Sequence, residues 1–171
     1  MQISKAHVSL DGPAGRNRAH LGSRAPTVSN ATTSDLPAIF ALLRDCELLE
    51  SGVAEALGEF LVARMDGALL GCAGLETYDD LGLLRSVAVE VRARKSGIGR
   101  ELVERAVASA RAVCLRGLFL LTTTAPAFFE HLGFVLTSRV AVPPAIADSW
   151  EFRAGCAQTA LLMRRPLGEA P

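Results

Sequence analysis

The chain has 171 residues, 50% hydrophobic and 21% charged; that suits one folded domain with a real core and excludes global disorder. Its 18 basic and 18 acidic residues cancel, so no overall field draws it to nucleic acid or to an anionic membrane. No apolar run approaches the roughly 20 residues of a membrane span, and the first residues lack the apolar stretch of a signal peptide.

The four cysteines, Cys46, Cys72, Cys114 and Cys156, form no CxxC pair and no zinc-like cluster with histidine, so no metal is expected. Cys72 and Cys114 sit in apolar runs and are expected as buried free thiols, which fits a reducing cytoplasm. Lys5 and Lys95 are the only lysines, an arginine-rich usage that fits a GC-rich bacterial coding bias.

Residues 1–24 carry scattered glycine, histidine and arginine without a 3.6 or 2.0 period and read as a disordered extension. The folded domain is expected over 25–167. A short strand is predicted at 27–29. Thr33, Ser34 and Asp35 then offer helix caps, and Leu36, Ile39, Phe40 and Leu43 make one apolar helical face. Residues 52–58 predict a second, short helix over a substrate site. Strands follow at 60–64 and 68–75, joined by an Asp66-Gly67 hairpin turn, and at 83–89 after a turn at 78–80. Together they form an antiparallel meander.

Ile98, Leu102, Val103, Ala106, Ala110 and Val113 trace a long helix, with Arg100 to Glu104 and Glu101 to Arg105 as charge pairs on its outer surface. An apolar central strand at 118–121, a short helix at 127–132 closed by Gly133, and strands at 134–136 and 159–164 complete the order, with a helical turn through Trp150 and Phe152. A strand–helix–strand unit inside an antiparallel order predicts a mixed sheet with helices on both faces.

The segment 87–100 carries the chemistry. A strand ends, a loop with Arg92, Arg94, Lys95 and Ser96 follows, and a helix opens at Gly97, Ile98, Gly99 and Arg100. The first N–H groups of a helix have no intrahelical partner, and the dipole there is positive. Glycines let a ligand approach the backbone. The combination is a cradle for a diphosphate.

Residues 94–99 (RKSGIG) match the R/Q-x-x-G-x-G/A motif of the GNAT N-acetyltransferases, and 128–134 (FFEHLGF) resemble that family's closing Y-E-K-L-G-F. The likeness covers roughly residues 26–166. Within the family, 83–89 (LLRSVAV), 120–129 (LLTTTAPAFF), and 142–146 with Phe152 and Cys156 most resemble the arsenic-resistance N-acetyltransferases. The resemblance implies a GNAT-like α/β (α+β) fold, with a mixed, mostly antiparallel sheet of about six to seven strands. It implies acetyl-CoA as cosubstrate, held by Arg94, Lys95, Ser96, Gly97, Ile98 and Gly99. The pantetheine arm would pair with the main chain of Val87 and Val89 where neighbouring strands splay. Lys95 stands where the family commonly has glycine. Phe129 falls where many members have the tyrosine that protonates the leaving thiolate, so that acid is missing here.

The acceptor implied by the resemblance is a small amine, an amino acid or an amino-acid-like toxin, arsenic-containing ones included. An amine attacks only when neutral, so a base helps; Glu76, at the end of an apolar strand, is the candidate. Arg85 shares the alternation of Leu83, Val87 and Val89 and is expected buried, which demands a carboxylate partner. That partner is either Glu76 or a substrate carboxylate gripped bidentately. Thr122, Thr123 and Thr124 leave the central strand toward the same splay, to hold substrate or to cap the following helix. No histidine is given a catalytic role. No nucleic-acid or membrane partner is expected, and a homodimer stays open. The rival readings are an arsenite-binding protein or an acyl-CoA sensor on the same scaffold.

Overall fold

The computed structural model describes residues 25–149, 151–155 and 159–168. The expected extension at 1–24, Trp150 and Cys156 lie outside the described residues. The strands are β1 (Thr27–Asn30), β2 (Phe60–Met65), β3 (Ala68–Tyr78), β4 (Leu81–Val89), β5 (Gly117–Thr122), β6 (Val135–Leu136) and β7 (Leu161–Pro166). The helices are α1 (Leu36–Asp45), α2 (Ile98–Ala112), α3 (Pro126–Glu130) and α4 (Pro144–Ala147).

The strands form one sheet in the order β1-β2-β3-β4-β5-β7-β6. Every neighbouring pair is antiparallel except β4 with β5. The β2–β3 hairpin turns on Asp66 at φ 51° and Gly67 at φ 82°. Two left-handed residues in a two-residue loop give the turn whose twist matches the strands, as the Asp-Gly pair predicts. Helix α1 covers one face, its Ile39, Leu42 and Leu43 packing with Phe60, Val62, Cys72 and Ala88. Helix α2 covers the other, its Ile98, Leu102, Val103, Ala106 and Ala110 packing with Leu61, Leu75, Leu84, Val87 and Val89.

At the entry to α1, the Asp35 carboxylate accepts from Thr32 N at 2.7 Å and from Thr32 Oγ1 at 2.9 Å, and it also pairs with Arg64 on β2. The Arg64 bond, above all, holds the Asp35 carboxyl down at about 2. The cap of α1 is thereby tied to the sheet it packs on.

Four expectations change. Residues 52–58 form turns and a 3₁₀ turn over Leu57–Glu59 instead of a helix. Gly52 adopts φ 77°, outside the helical region, while buried Val53 and Leu57 pin the segment to the core. The last strand runs two residues later than predicted, because Pro166 pairs with Gly117 at the strand end. Cys114 is exposed, since α2 ends before it and Cys114 turns left-handed at φ 59°; Cys46 and Cys72 are the buried thiols among the described residues. Glu104 meets Arg165 of β7 at 3.2 Å, in place of the expected pair with Arg100 along the helix.

Gly74 shows how tightly β3 is packed. A Cβ added there would sit 2.6 Å from Cε2 of Phe60, a fully buried ring. Gly74→Ala should therefore cost about 1–3 kcal/mol of stability, the usual penalty of overpacking. Urea unfolding of the variant measures it, and an unchanged midpoint would show that the Phe60 ring yields freely.

Candidate active site

The β4–β5 ladder runs only through Leu81, Gly82 and Leu83, paired with Gly117, Leu118 and Phe119. Beyond that point the two strands part. β4 continues to Val89 along β3, and β5 continues to Thr122 along β7. A bulge marks β4 just past the fork. Cys72 faces Ala88 and Gly74 faces Arg85, so one residue of β3 opposes the two residues Ser86 and Val87. Ser86 adopts φ 52° to allow it. Bulges re-aim side chains next to functional sites.

The bulge corrects the simple alternation. Arg85 was expected on one face with Leu83, Val87 and Val89. In the structure the extra residue reverses the parity, and Val87 and Val89 join Leu84 on the α2 side. Leu83 packs on the opposite side with Phe119, Leu121, Ile146 and Leu162.

Arg85 is 2% exposed. Its Nη1 donates to Glu76 Oε1 at 2.6 Å and its Nη2 to the Ser51 carbonyl at 2.7 Å. Glu151 Oε2 stands 3.4 Å from the same Nη2. Tyr78 OH donates to the other oxygen of Glu76 at 2.6 Å. Burial, with the Glu76 bond and charge, raises the Tyr78 phenol above its ordinary value, so it stays a donor. Of the two partners the sequence allowed for Arg85, the fold supplies Glu76. It also adds Ser51, Tyr78 and Glu151, which sequence reasoning missed. Tyr78 was detectable, two residues from Glu76 on the same strand face. Ser51 contributes through its backbone, and Glu151 arrives from a distant segment; neither leaves a local signal.

The loop after β4 leads to α2 through Gly97, the N-cap, at φ 94°. A Cβ there would meet no protein atom within 4 Å, so the surroundings are open while the backbone conformation favours glycine. Lys95 is exposed at φ 63°, a left-handed conformation that carries a cost where the family motif commonly has glycine. Ser96 Oγ donates to the Ala93 carbonyl at 2.6 Å. Arg94 turns inward, its Nε donating to the Val89 carbonyl at 3.1 Å and its Nη2 contacting Cys46 Sγ at 3.6 Å. Arg92 pairs with Glu90 at 2.5 Å. Ile98 and Gly99 are buried in the first turn of α2.

The three threonines separate. Thr122 is fully buried and accepts from Ala125 N at 3.2 Å, one residue before α3 begins. Thr123 Oγ1 is buried without a hydrogen-bond partner, the kind of atom that a ligand or water satisfies. Thr124 is exposed. Phe129 is fully buried, its ring 5.0 Å from Phe128 and 5.7 Å from Phe134 in edge-to-face contact.

Residues 56–136 match the family model described as Acetyltransferase (GNAT) domain. An amino-acid acetyltransferase of Mycobacterium tuberculosis is 35% identical over 133 residues, which span 72% of this chain and 76% of that protein. The chain belongs to the GNAT acetyltransferase family. An amino-acid acetyltransferase of Azotobacter vinelandii is 32% identical over 134 residues, 72% of this chain and 31% of that protein. The chain thus spans about a third of the length of the first curated relatives it matches (31% and 34%). Among solved structures, N-acetylglutamate synthase from Neisseria gonorrhoeae, complexed with coenzyme A and N-acetyl-glutamate, superposes with a TM-score of 0.76 at 25% identity. That match covers 86% of this chain and 36% of the synthase. A Mycobacterium tuberculosis protein solved in complex with CoA gives 0.70 at 29% identity, covering 82% of this chain and 98% of that one.

The buried cluster sets a stability test. Arg85→Ala strands Glu76 and leaves Glu151 without its cation. It should cost roughly 3–5 kcal/mol, as breaking a buried pair does. Glu76→Gln in the Arg85→Ala background should recover part of the loss, and Glu151→Gln added to both should recover more. Denaturant unfolding of the series reads the order. A mild loss in Arg85→Ala would show that the cluster does not hold the fold.

Proposed function

We propose that this chain transfers an acetyl group from acetyl-CoA to the amino group of a small molecule. The acceptor is an amino acid or an amino-acid-like toxin, in which arsenic can stand. The observation that carries this reading is the fork between β4 and β5 beside the open, left-handed N-cap of α2. The fork offers an extended arm main chain that has no strand partner on that side, and the helix N-terminus offers N–H groups to a diphosphate.

In this reading the main chain at Val87 and Val89 holds the pantetheine. Lys95, Ser96 and the amides of Gly97, Ile98 and Gly99 hold the diphosphate, with Arg94 bracing the loop against Val89. The acceptor enters on the opposite side, where Arg85, Glu76 and Thr122 to Thr124 line the fork. Arg85 orients it through the charge it shares with Glu76, since both terminal nitrogens already have partners. Thr123, with its unpartnered buried hydroxyl, is the direct polar contact. Glu76, the sequence candidate for base, has both oxygens engaged and serves first as a fixed counter-charge. With phenylalanine at 129, coenzyme A leaves as the thiolate, which the low reference pKa of a thiol, about 8.5, permits.

Two relatives' names support an amino-acid acceptor, and the segments 83–89, 120–129 and 142–146 support the arsenic-resistance branch. Against a plain arsenite binder, burial holds the Cys72 thiol up at about 12 and raises that of Cys46 as well. Buried thiols of that kind are poor sources of the thiolate that binds soft metal ions.

Thiol release from acetyl-CoA, screened over amino acids and arsenic-bearing analogues, tests the reading. Saturable, acceptor-dependent release with an N-acetylated product is expected. Gly97→Glu should raise the KM for acetyl-CoA at least about tenfold, through bulk and charge against the diphosphate. Acetyl-CoA binding without release for any acceptor would favour a sensor, and absence of binding would sink the cofactor assignment.

A further inference from the structure

Glu151 belongs to no motif, yet it lies in the same buried cluster as Arg85. It opens the π-helical turn Glu151–Gly155, is 9% exposed, and stands 3.4 Å from Arg85 Nη2. Such turns occur often at functional sites. Its neighbour Phe152 packs against the cluster of Leu83, Phe119, Ile146 and Leu162. The turn is thereby held at the point where β4 and β5 part.

One guanidinium serves two carboxylates here, and the two differ. Glu76 is committed at both oxygens, to Arg85 and to Tyr78, each at 2.6 Å. A carboxylate so engaged gives up those bonds when it takes a proton. Glu151 is the more distant partner. Burial raises its carboxyl above the ordinary glutamate value; Arg85 pulls it down and the charge of Glu76 adds to the rise. A base works best when its pKa lies near the working pH.

We propose that Glu151 is the catalytic base, the carboxylate that takes the acceptor's proton, while Glu76 and Arg85 position it. This rests on the acetyl-transfer reading. The acceptor first loses one proton to solvent and becomes a neutral amine. Its nitrogen lone pair attacks the thioester carbonyl carbon, the C–N bond forms, and the C–S bond breaks with its electrons on sulfur. Coenzyme A leaves as thiolate. The surplus proton on nitrogen passes to the Glu151 carboxylate, directly or through one water. Glu151 ends neutral and the thiolate carries the negative charge.

The groups that set the titration of Glu151 are Arg85 on β4 and Glu76 on β3. Among the described residues, Tyr78 on β3, which interacts with both Glu76 and Ser149, and the Ser51 carbonyl before β2 belong to the same polar cluster. The sign of the linkage follows. A glutamate raised by folding stabilises the fold while protonated, and that contribution is lost as pH rises through its folded pKa.

The test compares kcat and kcat/KM of the full chain, Glu151→Gln and Glu76→Gln from about pH 5 to about pH 9, with acetyl-CoA and one amino-acid acceptor. Glu151→Gln should lower kcat by about 10²–10⁴, the range for loss of a general base, and remove the acid limb from the kcat profile at saturating acceptor, while the fall of kcat/KM that follows protonation of the free amine stays in every variant. Its Tm at pH 8 should equal or exceed that of the parent, because the amide removes a buried charge. Glu76→Gln should lose Tm and keep the acid limb. A Glu151→Gln enzyme with kcat within about threefold of the parent and an unchanged acid limb overturns the assignment. Parent enzyme that turns over no acceptor overturns the transfer reading, and this one with it.

Discussion

Two parallel strands part after three residue pairs, and the remaining features of the site depend on it. The β4–β5 ladder ends at Leu83 and Phe119. From there each strand is held by its outer neighbour alone, β4 by β3 and β5 by β7. Buried backbone groups need partners. A fork in the middle of a sheet is therefore a place where an extended ligand can complete the hydrogen bonding that the protein leaves open. Helix α2 follows β4 after a short loop, so its N-terminus lies beside the same fork. Peptide-like pairing and anion binding are thus offered on adjoining surfaces by one strand–loop–helix unit.

The second constraint is the charge buried at that fork. A lone arginine inside a sheet is costly unless it is paired and bonded. Arg85 gathers its partners from three places: Glu76 on β3, the Ser51 carbonyl before β2, and Glu151 on the π-helical turn. Satisfying one guanidinium thus ties the connection after α1 and the segment before β7 to the central strands. Both are irregular segments that a helix or ladder would not otherwise hold. The cost of burying the charge is offset by these contacts, and the same contacts fix two loops beside the fork.

Most of the frame was legible because it follows short-range rules. The Asp66-Gly67 turn, the apolar stripe of α2 and the continuous apolar run of β5 each need only their own neighbours to be recognised. The same was true of the α2 N-cap, where glycine is demanded by a left-handed φ. What escaped was set by tertiary geometry. The Ser86 bulge reverses side-chain parity, and period-two counting has no means of placing it. The loop at 52–58 has helical apolar spacing but carries glycine at its start, and anchoring by Val53 and Leu57 decided its shape. Glu151 is seventy-five residues from Glu76 in the chain, and only chain return through β7 brings the two to one arginine. Arg85 stands between these cases. Its anomaly was visible as a charge in an apolar strand, and its partner required the fold.

Amide hydrogen exchange with and without acetyl-CoA tests most directly whether the fork and the α2 N-terminus together form the cofactor seat. Binding should slow exchange in peptides covering 87–89 and 97–100, where an extended arm and a diphosphate engage main-chain N–H groups. Peptides from β1 and β2, remote from the fork in the strand order, should be unchanged. Protection confined to other segments, with 87–89 and 97–100 exchanging as before, would contradict the assignment.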